Sequence, residues 1–461
     1  MDQGIIKQLK KIVGPDHVST AREDLLCYSY DSSGVEYLPE AVAFPGTTGE
    51  VSAIMSLAAR EIFPVVPRGA GTGMTGGALA AAGGLVLVMS RLNRILEIDR
   101  DNMVAVVEPG VITGQLQDEV SRQGLYYPPD PASLKFCTIG GNVGNGAGGP
   151  SAVKYGVTRD YVLGLEVVLP DGTILNTGVR TAKGVVGYDL TRLFVGSEGT
   201  LGIITRIILR LIALPAAKKS FLVFGRDLAR ITRLVAMILS EGILPCTLEY
   251  MDRTAINIVA SSLPFTIPEA AAALLLIELD GDHETVAVQS GKLMRFLAQQ
   301  ADLLEIREAK DEKEREKLWM ARRSISPAAF QLKPHKISED VVVPRSKIPE
   351  LVDFAEKLSR ETGLPILTFG HAGDGNIHVN IMLDRNDPGE LAKGNRAKEK
   401  IFHHVLGLAG TLSGEHGIGS VKAPYLPLEL HEENIRVMRA VKKLFDPLNI
   451  LNPGKMLLDK K

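Results

Sequence analysis

Three glycine-rich segments constrain this chain of 461 residues more than any other feature. Residues 67–77 read PRGAGTGMTGG, with five glycines and two threonines set between apolar, strand-like runs at 63–67 and 85–89. Small residues leave backbone N–H groups unhindered, and together with hydroxyls they can ring a phosphate. Residues 130–149 (DPASLKFCTIGGNVGNGAGG) and 196–202 (GSEGTLG) repeat the texture. One such loop could be a set of tight turns. Three in one chain imply an extended ligand that touches several backbone segments.

FAD is the obvious candidate. The first loop contains G-x-G-x-x-G (Gly71, Gly73, Gly76), and Glu97 or Asp99 follows at the distance of a ribose-binding acid, so an NAD site has to be weighed. It fails on context: the next strand begins at Leu85, which leaves no room for the helix that would hold a pyrophosphate at its N-terminus. No Gly-Lys-Ser/Thr follows, so the loop is not a P-loop either. With 52 Lys plus Arg against 54 Asp plus Glu, there is no basic field for a nucleic acid. Cys27, Cys137 and Cys246 lie far apart, which excludes an internal iron–sulfur cluster, so electrons must leave by another route. The longest apolar run, 78–89, is too short for a membrane span and includes Gly83 and Gly84; the chain reads as cytoplasmic, with peripheral membrane contact left open.

Thr47 with Glu50 resembles a capping box before a helix running to Arg60. Residues 1–95 therefore read as a small β/α subdomain, and 96–214, with strands at 104–108, 162–170 and 203–211, as a mainly antiparallel one. Beyond Pro215, strands alternate with long helices, giving an α+β domain over 215–425. A last helix, 431–445, belongs to a C-terminal segment, 426–461.

Of nine histidines, three fall in two polar motifs, GHAGDGNIHVN (370–380) and GEHG (414–417). A hairpin in the first would set His371 opposite His378, with His378 and Asn380 on one face. Two imidazoles and a carboxylate, which Glu415 can supply, match a catalytic divalent-metal site; taken without context, two histidines at this spacing are more often unrelated.

The motifs PRGAGTG, DPAS…TIGGNVGNGAGG, GSEGTLGIIT and the terminal NPGK make nearly the whole chain resemble the vanillyl-alcohol-oxidase/p-cresol-methylhydroxylase flavoproteins. Closest in look is the branch with the glycolate oxidase FAD-binding subunit, D-lactate dehydrogenases and D-2-hydroxyglutarate dehydrogenase. The resemblance implies an α+β fold with a two-subdomain FAD-binding domain, plus an α+β cap domain with a mainly antiparallel sheet. It implies that Arg68, Gly69, Ala70, Gly71, Thr72, Gly73, Thr75, Gly76 and Gly77 wrap the pyrophosphate and ribityl chain, together with Pro129, Asp130, Ser133, Thr138, Gly140, Gly141, Asn142, Gly144, Asn145, Gly148 and Gly149. Glu198, Gly202 and Ile203 should approach the adenine side, and Asn452 the flavin ring. No histidine in the first loop is available to tether the flavin, so FAD should be dissociable. Cys137 could neighbour it or simply pack.

The same resemblance makes His371, His378 and Glu415 ligands of zinc, with manganese or iron as alternatives, and His416 the catalytic base. The chemistry asks for such groups. Hydride loss from C2 of a 2-hydroxy acid requires the hydroxyl proton to leave, which a divalent ion and a neutral imidazole both assist; a carbanion route stays open. An Arg fork suits the substrate carboxylate, and W-x-x-R places Arg322 there, although residues 310–323 could equally be a solvated helix face. Lys336 and Asn380 complete the expected catalytic set. The reading is FAD- and metal-dependent oxidation of D-lactate or glycolate, with D-2-hydroxyglutarate as the alternative substrate. An iron–sulfur or electron-transfer-flavoprotein partner is compatible with it, and a homodimer is left open. A lipid-ether synthase of the same superfamily fits the His/His/Glu set poorly.

Overall fold

Thr47 caps the helix Thr48–Glu61 by accepting the Glu50 N–H. Glu50 reaches back to the Gly46 N–H at 2.7 Å rather than to Thr47, so the expected box closes one residue early. Val51, Ile54, Met55 and Ala58 recur on one face of this helix and are fully buried with Ala41, Ala43, Val65, Leu85 and Leu87. A buried Leu or Ile contributes roughly 2 kcal/mol, so this stripe holds the helix on its sheet. The computed structural model describes residues 1–263 and 265–458.

Contacts divide the chain into two compact units, one comprising Met1–Gly148, Val157–Leu214 and Glu415–Lys461, the other Gly149–Gly156 and Pro215–Gly414. The first unit has a four-stranded sheet in which Ala41–Ala43, Leu85–Val88 and Val65–Arg68 are parallel, with Val18–Ser19 antiparallel at its edge. Its second sheet is wholly antiparallel, in the order Ile95–Asp99, Val104–Val107, Ile203–Arg210, Val162–Val168, Ile174–Gly178. No helix separates Val65–Arg68 from Leu85–Val88, which leaves the first glycine loop free of the Rossmann arrangement. A short helix, Ile139–Asn145, forms inside the second glycine cluster, capped by Thr138; glycine disfavours it and burial of Ile139, Asn142 and Val143 overrides that preference.

Two boundaries differ from the sequence expectation. Residues 149–156, expected in the FAD domain, fold with the second unit: Lys154 lies 2.5 Å from Asp280 and Tyr155 donates to the same carboxylate. Residues 415–425, expected in the cap, fold with the first unit, because the buried Glu198 carboxylate takes the N–H groups of Ile418 and Gly419 at 2.6 and 2.7 Å.

The second unit is built on a seven-stranded antiparallel sheet: Leu303–Glu308, Ala217–Gly225, Ala273–Gly281, Thr247–Asp252, Ile366–His371, Asn376–Leu383, His335–Val342. Its central strands are buried along nearly their whole length, so both faces are covered; Ala273–Gly281 begins as a continuous apolar run, whereas Asn376–Leu383 sets buried Asn376, His378 and Asn380 on one face and apolar residues on the other. On one face, Leu222, Phe224, Leu274, Leu276 and Phe369 pack against Leu318, Trp319 and Ile325 of the helix Glu312–Ala328. The α+β class and the antiparallel cap sheet are as the sequence implied.

Candidate active site: a glycine cradle and a polar sheet face

In the first unit, two cavities of about 100 and 190 Å³ share walls at Gly69, Gly77, Ala78, Thr138, Gly141 and Asn145. The smaller extends to Pro109, Gly140, Gly144, Glu198, Gly202 and Ile203; the larger to Ala70–Thr75, Ser133, Cys137, Asn142 and the loop of Glu415 and His416. Together they form a trough whose walls draw on all three glycine clusters, as a dinucleotide that touches several backbone segments needs. Gly144 tests that fit. A Cβ there would meet no protein atom within 4 Å, so the space over this residue is left for something else. Gly140 is needed for a different reason: its Cβ would fall 2.9 Å from the Pro109 carbonyl, a backbone approach only glycine allows.

The expected cofactor residues do not all play one part. Arg68 lines the smaller cavity and is buried, and its guanidinium donates to the carbonyls of Tyr30 (2.8 Å) and Ala78 (3.4 Å), so it also braces the loop. Pro129, Asp130, Gly76 and Gly148 are absent from the walls of both cavities, and Gly149 folds with the second unit. Asn142 turns inward to Thr113. Cys137 is buried in the wall with its Sγ 3.4 Å from Thr113 Oγ1.

Glu198 and Asn452 act on the loops that frame the trough. Burial raises the Glu198 carboxyl pKa, opposed by the Ile418 and Gly419 N–H groups, and these bonds pin the chain just after His416. Thr75 Oγ1 holds the His416 carbonyl at 3.1 Å. Asn452 is 1% exposed and donates to the carbonyls of Gly77 and Glu198, while its Oδ1 has no partner among the described residues and stays available to a ligand. Burial pushes the Lys455 ammonium down to about 8, although Glu198 and Asp31 oppose the shift; its Nζ donates to the Leu79 carbonyl.

The second unit carries the remaining expected residues on one face of its sheet. The observed register pairs His378 with Phe369 and His371 with Asn376, so the two histidines are diagonal rather than opposite. The four-residue turn between the strands sets that register. Both rings still rise from the same face, with centres 5.3 Å apart. His378 Nδ1 stands 3.8 Å from Asp340 Oδ1, and the same oxygen accepts the Asn376 amide at 2.6 Å. Asn380 accepts from Ser338 through Oδ1, and its buried Nδ2 has no partner among the described residues.

Arg322 sits on the buried side of its helix, 8% exposed, which replaces the solvated-face alternative. Its Nη2 lies 2.5 Å from Glu249 Oε2 and its guanidinium 4.9 Å from the centre of the Phe369 ring, while Nε has no hydrogen-bond partner among the described residues. Burial would raise the Glu249 carboxyl, but Arg322 and then His371 outweigh it and hold its pKa below the ordinary value. Lys336 donates to Ser326 at 2.6 Å, and burial lowers its pKa.

Glu249, Ser338, Asp340 and Asn376 were not singled out by the sequence reading. Lys336, Ser338 and Asp340 alternate on one face of the strand His335–Val342. That period-two row of polar residues was the missed signal.

Comparison with known proteins supplies the family. Residues 214–456 match the C-terminal domain of FAD linked oxidases, and residues 39–178 match an FAD binding domain. The glycolate oxidase subunit GlcD of Bacillus subtilis is 44% identical over 98% of this chain and 96% of its own length. GlcD of Escherichia coli is 36% identical over 94% and 87%, and a D-lactate dehydrogenase of Anaerostipes hadrus 34% identical over 98% and 97%. Among solved structures, p-cresol methylhydroxylase with substrate bound has the same fold at a TM-score of 0.83 and 19% identity, covering 100% of this chain and 98% of that one. An alkyldihydroxyacetonephosphate synthase reaches 0.78 at 20% identity, covering 98% and 86%. The two domain matches and the near full-length relatives make this chain a member of the FAD-linked oxidases.

Proposed function

We propose that this protein oxidises a D-2-hydroxy acid to the 2-oxo acid, with D-lactate or glycolate as substrate. The observation that carries the reading is His416 standing in the wall of the glycine-lined trough, where a group placed on the flavin-binding unit can serve a reaction at the cofactor. The names of the relatives favour the same chemistry and these two acids.

FAD, when bound, supplies the hydride acceptor. His416, in the wall of the trough, takes the substrate hydroxyl proton. Arg322 orients the substrate carboxylate through its unpaired Nε, and the Asn380 amide offers a second donor. His371 and His378 are soft enough for zinc, and a divalent ion on them would lower the pKa of the hydroxyl. We assign the FAD as non-covalent.

The test is anaerobic flavin bleaching by D-lactate, L-lactate, glycolate and D-2-hydroxyglutarate, before and after EDTA treatment. Bleaching by D-lactate or glycolate, lost with chelator and restored by zinc or manganese, is the expected result. Bleaching that ignores the chelator removes the metal from the reading; bleaching by L-lactate alone removes the D-acid. A role as the flavin subunit of a larger complex is a second reading, favoured by the two relatives named as subunits and by the three unpaired cysteines here. Co-purification of an iron–sulfur or flavin-bearing partner tests it.

A further inference from the structure

Glu249 has no part in the reaction drawn above, and its position is costly. It is fully buried on a strand flanked by Leu248 and Tyr250, both also fully buried. Burying a carboxylate costs several kcal/mol unless partners compensate, and an apolar residue of similar volume would serve packing as well. Its two oxygens are divided between two groups. Oε1 lies 2.6 Å from His371 Nδ1, and Oε2 lies 2.5 Å from Arg322 Nη2.

We propose that Glu249 is a positioning residue that sets two groups at once: the His371 imidazole for a divalent cation and the Arg322 guanidinium for a substrate carboxylate. The inference rests on the reading of His371 and His378 as cation ligands. A carboxylate accepting from Nδ1–H fixes the imidazole tautomer, leaving the lone pair on Nε2, and holds the ring against rotation. Phe369 limits Arg322 from another side through its ring face. Because one rigid carboxylate serves both, a shift of its strand moves ligand and clamp together. The competing account is a plain buried ion pair that fastens the helix Glu312–Ala328 to the sheet; it would affect stability and leave cation affinity unchanged.

The deciding measurement is the zinc affinity of the full-length flavoprotein, read by competition with a chromogenic chelator, alongside KM and kcat for D-lactate. Wild type and His371→Ala establish the base reading: equal affinity in the two, or no binding by wild type, would remove the cation site itself. Given a site, Glu249→Gln should bind zinc about 10–100-fold more weakly with unchanged flavin content, and should raise KM. Wild-type zinc affinity in Glu249→Gln overturns the proposal. Should the lone Arg322 charge prevent that variant from folding, Glu249→Gln/Arg322→Met removes both buried charges. Zinc affinity in the double variant then decides: a 10–100-fold loss relative to Arg322→Met supports the role, and equality overturns it.

Discussion

Arg322 is held by its surroundings in a way that lysine cannot reproduce. Its planar fork meets Glu249 with one nitrogen, stacks on Phe369 and leaves Nε uncommitted, whereas an ammonium is a single point charge. Arg322→Lys should therefore raise KM for the hydroxy acid at least tenfold with flavin content unchanged, measured by steady-state kinetics. His416 makes the complementary prediction: His416→Ala should lower kcat by roughly 10²–10⁴ while retaining FAD, because proton acceptance is lost and the trough is not. Lys455 offers a pH test. Its pKa is pushed down to about 8, below that of the unfolded chain, so between those values the unfolded state binds more protons. The destabilisation is fully present below about pH 8 and is relieved as pH rises toward the unfolded value near 10.5. Compared with Lys455→Met, the wild-type apoprotein should gain thermal stability from pH 8 to 10; parallel Tm curves would count against the assignment.

At the scale of elements, the helix Ile139–Asn145 separates stability from binding. Gly144→Ala adds a better helix former and should stabilise the apoprotein by about 0.5–1 kcal/mol. The same methyl enters the open space of the trough, so FAD retention should fall; flavin fluorescence release and apoprotein melting should move in opposite directions. The loop after Ile174–Gly178 is the other informative element. Val185, Val186 and Tyr188 are 95%, 102% and 94% exposed beside Lys183, and limited trypsinolysis should cut there first. The family was readable from the glycine clusters, because an FAD cradle needs unusual residue types, and the structure buries the polar hairpin and the Arg of W-x-x-R as it does few other polar segments. The hairpin register was not readable, since it depends on turn length, and neither was Glu249, which sits between Leu248 and Tyr250 with no motif around it. The glycine-rich helix was hidden because local propensity argues against it and only burial of Ile139 and Val143 pays for it.

At the scale of the whole molecule, the boundaries were the least legible part. Residues 149–156 carry glycines and a serine that suit the cradle, yet Lys154 and Tyr155 find their partner in Asp280, over a hundred residues away. Likewise the GEHG motif looks continuous with the cap, and the distant Glu198 and Thr75 draw the chain from Glu415 onward back to the first unit. Such long-range pairs leave no periodic trace. No helix among the described residues is long and apolar enough to cross a membrane.

The bridge between Val65 and Leu451 joins the first unit's parallel sheet to a segment near the chain's end. On a ribosome adding about 5–20 residues per second, the interval between these two strands is tens of seconds. During that time Gly77 and Glu198 wait without the Asn452 amide, and the edge of Val65–Arg68 is open to other chains. The cradle is therefore a late product of synthesis, and a ribosome that stalls shortly before Ile450 releases a nascent chain with every glycine loop already made and no means of closing them around a flavin.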